Sequence, residues 1–253
     1  MVQAPKRTSV RGPTFIRLLA RLTDVDVPPS RQSLSDRLGQ WLDWTHAVVL
    51  STALDGEPSA MDADVPTSGS AEEDECTRVR TSLAHAIADE RAFATARQRG
   101  VEHAVVGEGE MHEAVDYSVF RQRYLAIQRK IQAATGNLRG RLRDTLAERT
   151  ANMARLAAVD AAMERALSPR EQTLLARVPA LLGEHFERLR QAEQETLAVA
   201  QASEDTSAIA PGAWLDVFRQ DVQNLLLAEL DVRFQPVEGL LAALRTHSLV
   251  SHV

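Results

Sequence analysis

Residues Asn137–Gln201 read NLRGRLRDTLAERTANMARLAAVDAAMERALSPREQTLLARVPALLGEHFERLRQAEQETLAVAQ. Leu138, Leu142, Leu146, Met153, Leu156, Val159, Met163 and Leu167 recur at helical spacing. Leu174, Leu175, Val178, Leu181, Leu182, Phe186 and Leu189 extend the pattern. The spacing predicts two long amphipathic helices. At their junction Ser168-Pro169-Arg170-Glu171 has the form of a capping box, in which the Glu171 amide donates to the Ser168 hydroxyl and the Glu171 carboxylate reaches back. Leu138 to Leu167 would span about 45 Å as one helix, at 1.5 Å per residue. An interior Pro179 would lack one hydrogen bond and crowd the carbonyl of Leu175, so a kink or a fresh start is expected there. The fold class that follows is all-α, and this scaffold bears no catalytic signature.

On the N-terminal side, Phe120, Tyr124, Ile127 and Ile131 predict a helix ending near Gly136. Val79, Leu83, Ile87 and Ala94 predict another over about 76–99. Asp55–Glu75 is rich in Gly, Pro, Ser and acid and has no periodic apolar residues, which predicts a disordered acidic linker. Before it, Phe15, Leu18, Leu19 and Leu22 form one helical face behind Pro13. Val27-Pro28-Pro29 breaks that helix. Ser33 caps the next, with Asp36 in its first turn, and Leu34, Leu38, Trp41, Leu42, Val48 and Val49 continue it. On the C-terminal side, Glu204–Gly212 reads as a second linker. Trp214, Leu215, Phe218, Val222, Leu225, Leu226 and Leu230 predict a helix, and Pro236 is expected to open a last short one through Leu244. The expected organisation is an N-terminal helical hairpin with a flexible basic tail over 1–54, the linker over 55–75, and over 76–253 a larger bundle containing the long helical pair.

Bulk properties narrow the function classes. At 253 residues the chain can bury a sizeable core. Aromatic residues make up only 4%, so that core is expected to be mostly Leu, Ala and Val. A formal charge of -6 argues against a dedicated nucleic-acid binder. Lysine occurs only at Lys6 and Lys130, which reads as the codon bias of a GC-rich bacterial genome. The single cysteine, Cys76, excludes an intramolecular disulfide and a cysteine-based zinc site, and fits a reducing cytoplasm. No apolar run approaches the length needed to span a bilayer. The expected location is therefore the cytoplasm, without membrane insertion.

Four groups of residues could carry chemistry or binding. His103, Glu108, Glu110, His112 and Glu113 could ligate zinc or iron, yet their spacing matches no metal motif and glycines mark a loop. Gly107-Glu108-Gly109 lacks the Lys-Ser/Thr pair of a phosphate loop. Asp43 and His46 stand at i, i+3, as a general base and its orienting acid would, but a surface or half-buried ion pair is the favoured reading. His185, next to Glu184, reads as a polar interruption of an apolar face. Arg121, Arg123, Arg129, Lys130, Arg139, Arg141 and Arg143 form the strongest basic stretch; they either track phosphates or stay solvated and pair with the acidic segment. Phe15, Trp41 and Trp44 are the candidate partner-binding anchors, since aromatic residues dominate interface hot spots.

The segments Arg11–Leu22, Leu34–Leu50 with Trp41-Leu42-Asp43-Trp44, and Leu167-Ser-Pro-Arg-Glu-Gln172 together resemble an uncharacterised proteobacterial family, a domain of unknown function. Members of that family are often encoded near membrane proteins resembling flagellar-stator or TolQ-type proton channels and OmpA-like peptidoglycan binders. The resemblance implies a cytosolic accessory of an ion-driven envelope complex, and no catalytic residues carry over. The expected function is thus a non-enzymatic interaction or assembly protein without cofactor, acting on a protein partner such as a membrane-complex subunit or on a second copy of itself. The alternative is a nucleic-acid-associated or regulatory protein using the 121–143 stretch; a metal enzyme on His103 and His112 ranks third.

Overall fold

The computed structural model describes residues 13–25, 32–55, 69–89, 116–202 and 212–250. Among them every regular element is a helix: α1 Thr14–Thr23, α2 Leu34–Trp41, α3 Trp44–Asp55, α4 Gly69–Ala88, α5 Tyr117–Ala147, α6 Ala151–Leu175, α7 Val178–Ala202 and α8 Ala213–Val250. The all-α reading holds.

The chain folds into two compact units. The first comprises residues 1–28, 84–129 and 177–229, and the second 29–83, 130–176 and 230–253. The hairpin expected over 1–54 is therefore divided: α1 belongs to the first unit, α2 and α3 to the second. The first unit concentrates the scarce aromatics. Phe218 meets Phe120 edge-on at 5.2 Å between ring centroids and Phe186 at 5.1 Å, and Phe186 meets Trp214 at 4.8 Å. Such edge-to-face pairs set positive ring edges against negative faces. The second unit is built as expected from small and aliphatic side chains, with Leu138, Leu142, Leu146, Ala157, Ala162 and Leu240 among its buried residues.

Local chemistry explains where the helices start. The Asp36 amide donates to the Ser33 hydroxyl at 3.1 Å and the Ser33 amide to the Asp36 carboxylate at 3.2 Å, closing a capping box for α2. Between α2 and α3 the chain turns at Leu42-Asp43, where a single helix was expected. The His46 amide donates to the Asp43 carboxylate at 2.8 Å, which caps α3, and His46 Nδ1 lies 2.8 Å from the same oxygen, so the pair forms an N-cap and an ion-pair contact together. Helix α4 begins at Gly69, inside the acidic segment; residues 56–68 of that segment lie outside the described residues. Glu72 sits in the first turn of α4, where carboxylates suit the helix dipole. Glu73 and Glu75 reach Arg245 and Arg141.

The long pair is divided elsewhere than at Ser168. A turn at Glu148–Thr150 ends α5, and the Met153 amide donates to the Thr150 hydroxyl at 3.3 Å to start α6. Leu138 and Leu167 therefore lie on different helices. Helix α6 runs straight through Pro169. Its missing amide would have bonded the carbonyl of Arg165; both residues are exposed, so the lost bond falls on the outer side of the helix. A second turn at Ala176-Arg177 places Pro179 in the first turn of α7, where an amide has no helical partner. The fresh start is thus the outcome at Pro179. Pro236 does not open a new helix, because α8 passes through it without a break. The buried residues Phe218, Val222, Leu225, Leu226, Leu230, Phe234, Val237, Leu241 and Leu244 keep one helical phase across the proline, so burying that stripe favours continuity.

These placements separate two leucines that look alike in sequence. Leu146 is 0% exposed and Leu156 is 40% exposed. Leu146→Ala should cost roughly 2–5 kcal/mol through lost transfer energy and a cavity. Leu156→Ala should cost less than about 1 kcal/mol. Urea unfolding of the two variants checks the contrast; equal losses would contradict the assigned faces.

Candidate interaction surface

Helix α3 is apolar on two sides. Half-buried His46, Val49, Leu50 and Ala53 follow i, i+3, i+4, i+7 and define its inner face. Within the second unit α3 packs against α6. Thr45, Val48, Val49 and Thr52 are β-branched and intrinsically modest helix formers, so this packing sustains the helix. The outer side carries Trp44, Ala47, Val48, Ser51, Thr52 and Asp55, again at helical spacing, and together they line a shallow groove. Trp44 is 81% exposed; Val48 and Leu54 are exposed as well. Single exposed leucines need no explanation, but an exposed tryptophan on an apolar stripe marks a candidate contact site.

The other two anchors sit differently. Phe15 is 6% exposed and faces inward with Ala20 and Leu22 on α1, which packs against α7 in the first unit. It is a core residue. Trp41 is half-buried in the second unit, with the Arg170 guanidinium carbon 4.9 Å from its ring centroid, a cation–π contact joining α2 to α6. Of the three, Trp44 is the one presented to solvent.

The basic stretch is largely committed to internal pairs. Arg139 grips the Asp160 carboxylate with two bonds of 2.8 and 2.7 Å, both side chains mostly buried. Arg143 pairs with Asp160 and Glu164, and Arg141 reaches Glu75 at 2.6 Å. Arg123 donates to the carbonyl of Asp89. Arg121, Arg129 and Lys130 are exposed. Four of the seven thus have a protein partner and three face solvent.

Two polar groups in the first unit escaped the sequence reading or gained a partner. Glu229 is 1% exposed, accepting from the Tyr124 hydroxyl at 2.7 Å and from Gln128 Nε2 at 3.2 Å. The signal was available: Glu229 stands three residues beyond Leu226 and four beyond Leu225, on the buried stripe, and Tyr124 and Gln128 are spaced i, i+4. Asp221 is shared by His185 Nε2 at 2.9 Å and Arg21 at 3.0 Å, which ties α1, α7 and α8 together. His185 thus has a carboxylate partner. Among the described residues no three His, Cys, Asp or Glu side chains are grouped to hold a metal ion. His103, Glu108, Glu110, His112, Glu113 and the Gly107–Gly109 loop lie outside the described residues. Cys76 is buried, and burial together with neighbouring Glu75 pushes its thiol up from the ordinary range, which suppresses thiolate chemistry. No helix among the described residues is long and apolar enough to cross a membrane.

Fold and surface together define a helical-bundle protein with an apolar helix face turned outward. A family model described as a protein of unknown function, DUF3348, matches residues 1–246, and the chain belongs to that family. No curated protein and no solved structure matches it.

Tyr117 supplies two tests in the first unit. Its hydroxyl donates to the carbonyl of Pro179, and its ring lies against Gly183, where an added Cβ would stand 3.0 Å from Cε1. An exposed helical Gly→Ala exchange normally gains about 1 kcal/mol. Gly136→Ala and Gly239→Ala, whose new Cβ meets nothing within 4 Å, should raise the melting temperature. Gly183→Ala should lower it, because Phe186, Phe218 and the Pro179 carbonyl hold the ring in place. Burial also pushes the Tyr117 phenol up to about 12. The unfolded chain then loses this proton first, near pH 10, so the Tyr117 contribution to stability is complete below about pH 10 and fades toward pH 12. Subtracting the 295-nm titration of Tyr117→Phe from that of the parent should leave a transition near 12; one near 10 would refute the assignment.

Proposed function

We propose that this chain is a non-enzymatic interaction protein that docks a partner protein through the outer face of α3. The single observation carrying this reading is the 81% exposure of Trp44, on a helix whose opposite face packs against α6. Large aromatic side chains are frequent hot spots when a partner covers them. The outer stripe has the spacing that receives an amphipathic helix, as in helix-in-groove recognition. The nucleic-acid alternative loses ground because Arg139, Arg141 and Arg143 already face carboxylates. The earlier resemblance extends the proposal: the partner would belong to an ion-driven envelope assembly, with this chain on the cytoplasmic side.

A photo-crosslinking amino acid in place of Trp44 tests the docking face in the native cell. The expected outcome is one discrete adduct from position 44 and none from a control at exposed Gln194. Absence of an adduct at 44, or equal yields at both sites, would overturn the assignment.

A further inference from the structure

We propose that residues 69–82, the first part of α4, are a strap that opens and closes while the rest of the second unit stays folded, with arginine–carboxylate pairs as its clasp. The apolar stripe that seats this segment is thin. Along it Cys76 is buried and Val79 half-buried; Leu83, next on the same stripe, is 2% exposed and anchors the helix beyond the strap. Packing of an apolar face is what holds most helices in place, so two small side chains seat roughly four turns weakly.

Polar contacts hold the segment instead. Arg245 of α8 pairs with Glu73, and Arg141 of α5 lies 2.6 Å from Glu75. Arg80 of the strap spans two carboxylates of α8, Asp231 at 2.6 Å and Glu238. Its guanidinium carbon also lies 5.4 Å from the Phe234 ring centroid. Asp231, Phe234, Glu238 and Arg245 follow i, i+3, i+7, i+14, so one face of α8 receives the strap. The charged side chains of the clasp are all partly exposed, which leaves the pairs open to screening. One group opposes closure. Glu72 stands one turn before Cys76 on the seated stripe, and its Oε2 is buried without a hydrogen-bond partner among the described residues. Closing the strap strips that oxygen of water and returns nothing, and opening restores the water.

Salt separates this motion from general unfolding. The screening length falls from about 10 Å at 0.1 M to about 3 Å at 1 M, which weakens exposed pairs. The cores are apolar, and a chain of formal charge -6 is relieved of self-repulsion by the same salt. Salt should therefore loosen the strap and leave the cores firm.

Cys76 is the sole cysteine, so it reports opening in the full chain without an engineered label. Its modification is followed with dithiodipyridine, an uncharged thiol reagent, relative to the urea-unfolded chain at the same salt. The relative rate should rise about five-fold between 50 mM and 1 M NaCl. Its urea dependence should be well below that of global unfolding, because the slope follows the surface exposed. Arg80→Gln and Arg245→Gln should each raise the rate about three-fold at 50 mM and reduce the salt effect. Glu72→Met should slow the reaction about five-fold by removing the unpartnered carboxylate. Asp74→Asn, on the exposed side, should leave it unchanged. A parent rate indifferent to salt, or a urea slope equal to that of global unfolding, would overturn the proposal whatever the variants do. So would a Glu72→Met chain with the parent's circular dichroism that reacts as fast as the parent. Amide exchange gives a second readout: 1 M salt should speed exchange over 72–82 and not over 138–146, and an equal change in both would refute the strap.

Discussion

The constraint on which the rest depends is the continuous apolar stripe of α8. Thirty-eight residues make this helix, and the stripe from Phe218 to Leu244 is buried along its length. Its first part serves the aromatic core of one unit and its last part the aliphatic core of the other. Burial at this scale outweighs the local cost of Pro236, about 3 kcal/mol where a helix cannot accommodate it. It also explains why Glu229 must be matched. A carboxylate on that stripe loses its water, and the Tyr124 hydroxyl and the Gln128 amide supply hydrogen bonds in exchange. The stripe and its polar insertion therefore form one packing problem.

In the second unit a different interaction recurs. Arginine pairs with carboxylate between α4 and α8 through Arg80 and Arg245, between α4 and α5 through Arg141, between α5 and α6 through Arg139 and Arg143, and between α6 and α8 through Arg233 and Glu171. The exposed pairs each contribute little. The Arg139–Asp160 grip is bidentate and mostly buried, so losing the Asp160 carboxylate would leave the guanidinium with the longer Glu164 contact at 3.4 Å. A sequence dense in arginine therefore yields a unit tied together by orientation-specific pairs, which engage Arg139, Arg141 and Arg143 of the basic stretch.

Much of the fold was legible because burial writes a period of 3.6 into sequence. The Ser33–Asp36 box and the helical class needed only local rules. The break at Glu148–Thr150 was hidden because Leu146 and Met153 are seven residues apart, so the apolar phase survives the turn. Ser168-Pro169-Arg170-Glu171 had the letters of a cap, yet packing and an exposed Arg165 carbonyl let the helix continue. The contact of Tyr117 with Gly183 joins residues far apart in the chain, and no local pattern announces it. For the candidate surface, sequence singled out Phe15, Trp41 and Trp44 but could not rank them. An apolar letter does not say which side of its helix is covered, and α3 is apolar on both.

That ambiguity is also what makes α3 informative. Its inner face alone ties it to α6, through residues at positions 46, 49, 50 and 53. The outer residues add little to folding, since Trp44 and Val48 remain in water. Keeping an indole there contributes solubility cost and no core packing. The two faces of one short helix thus differ in kind: the inner face fixes where α3 stands, and the outer face keeps its apolar side chains in water.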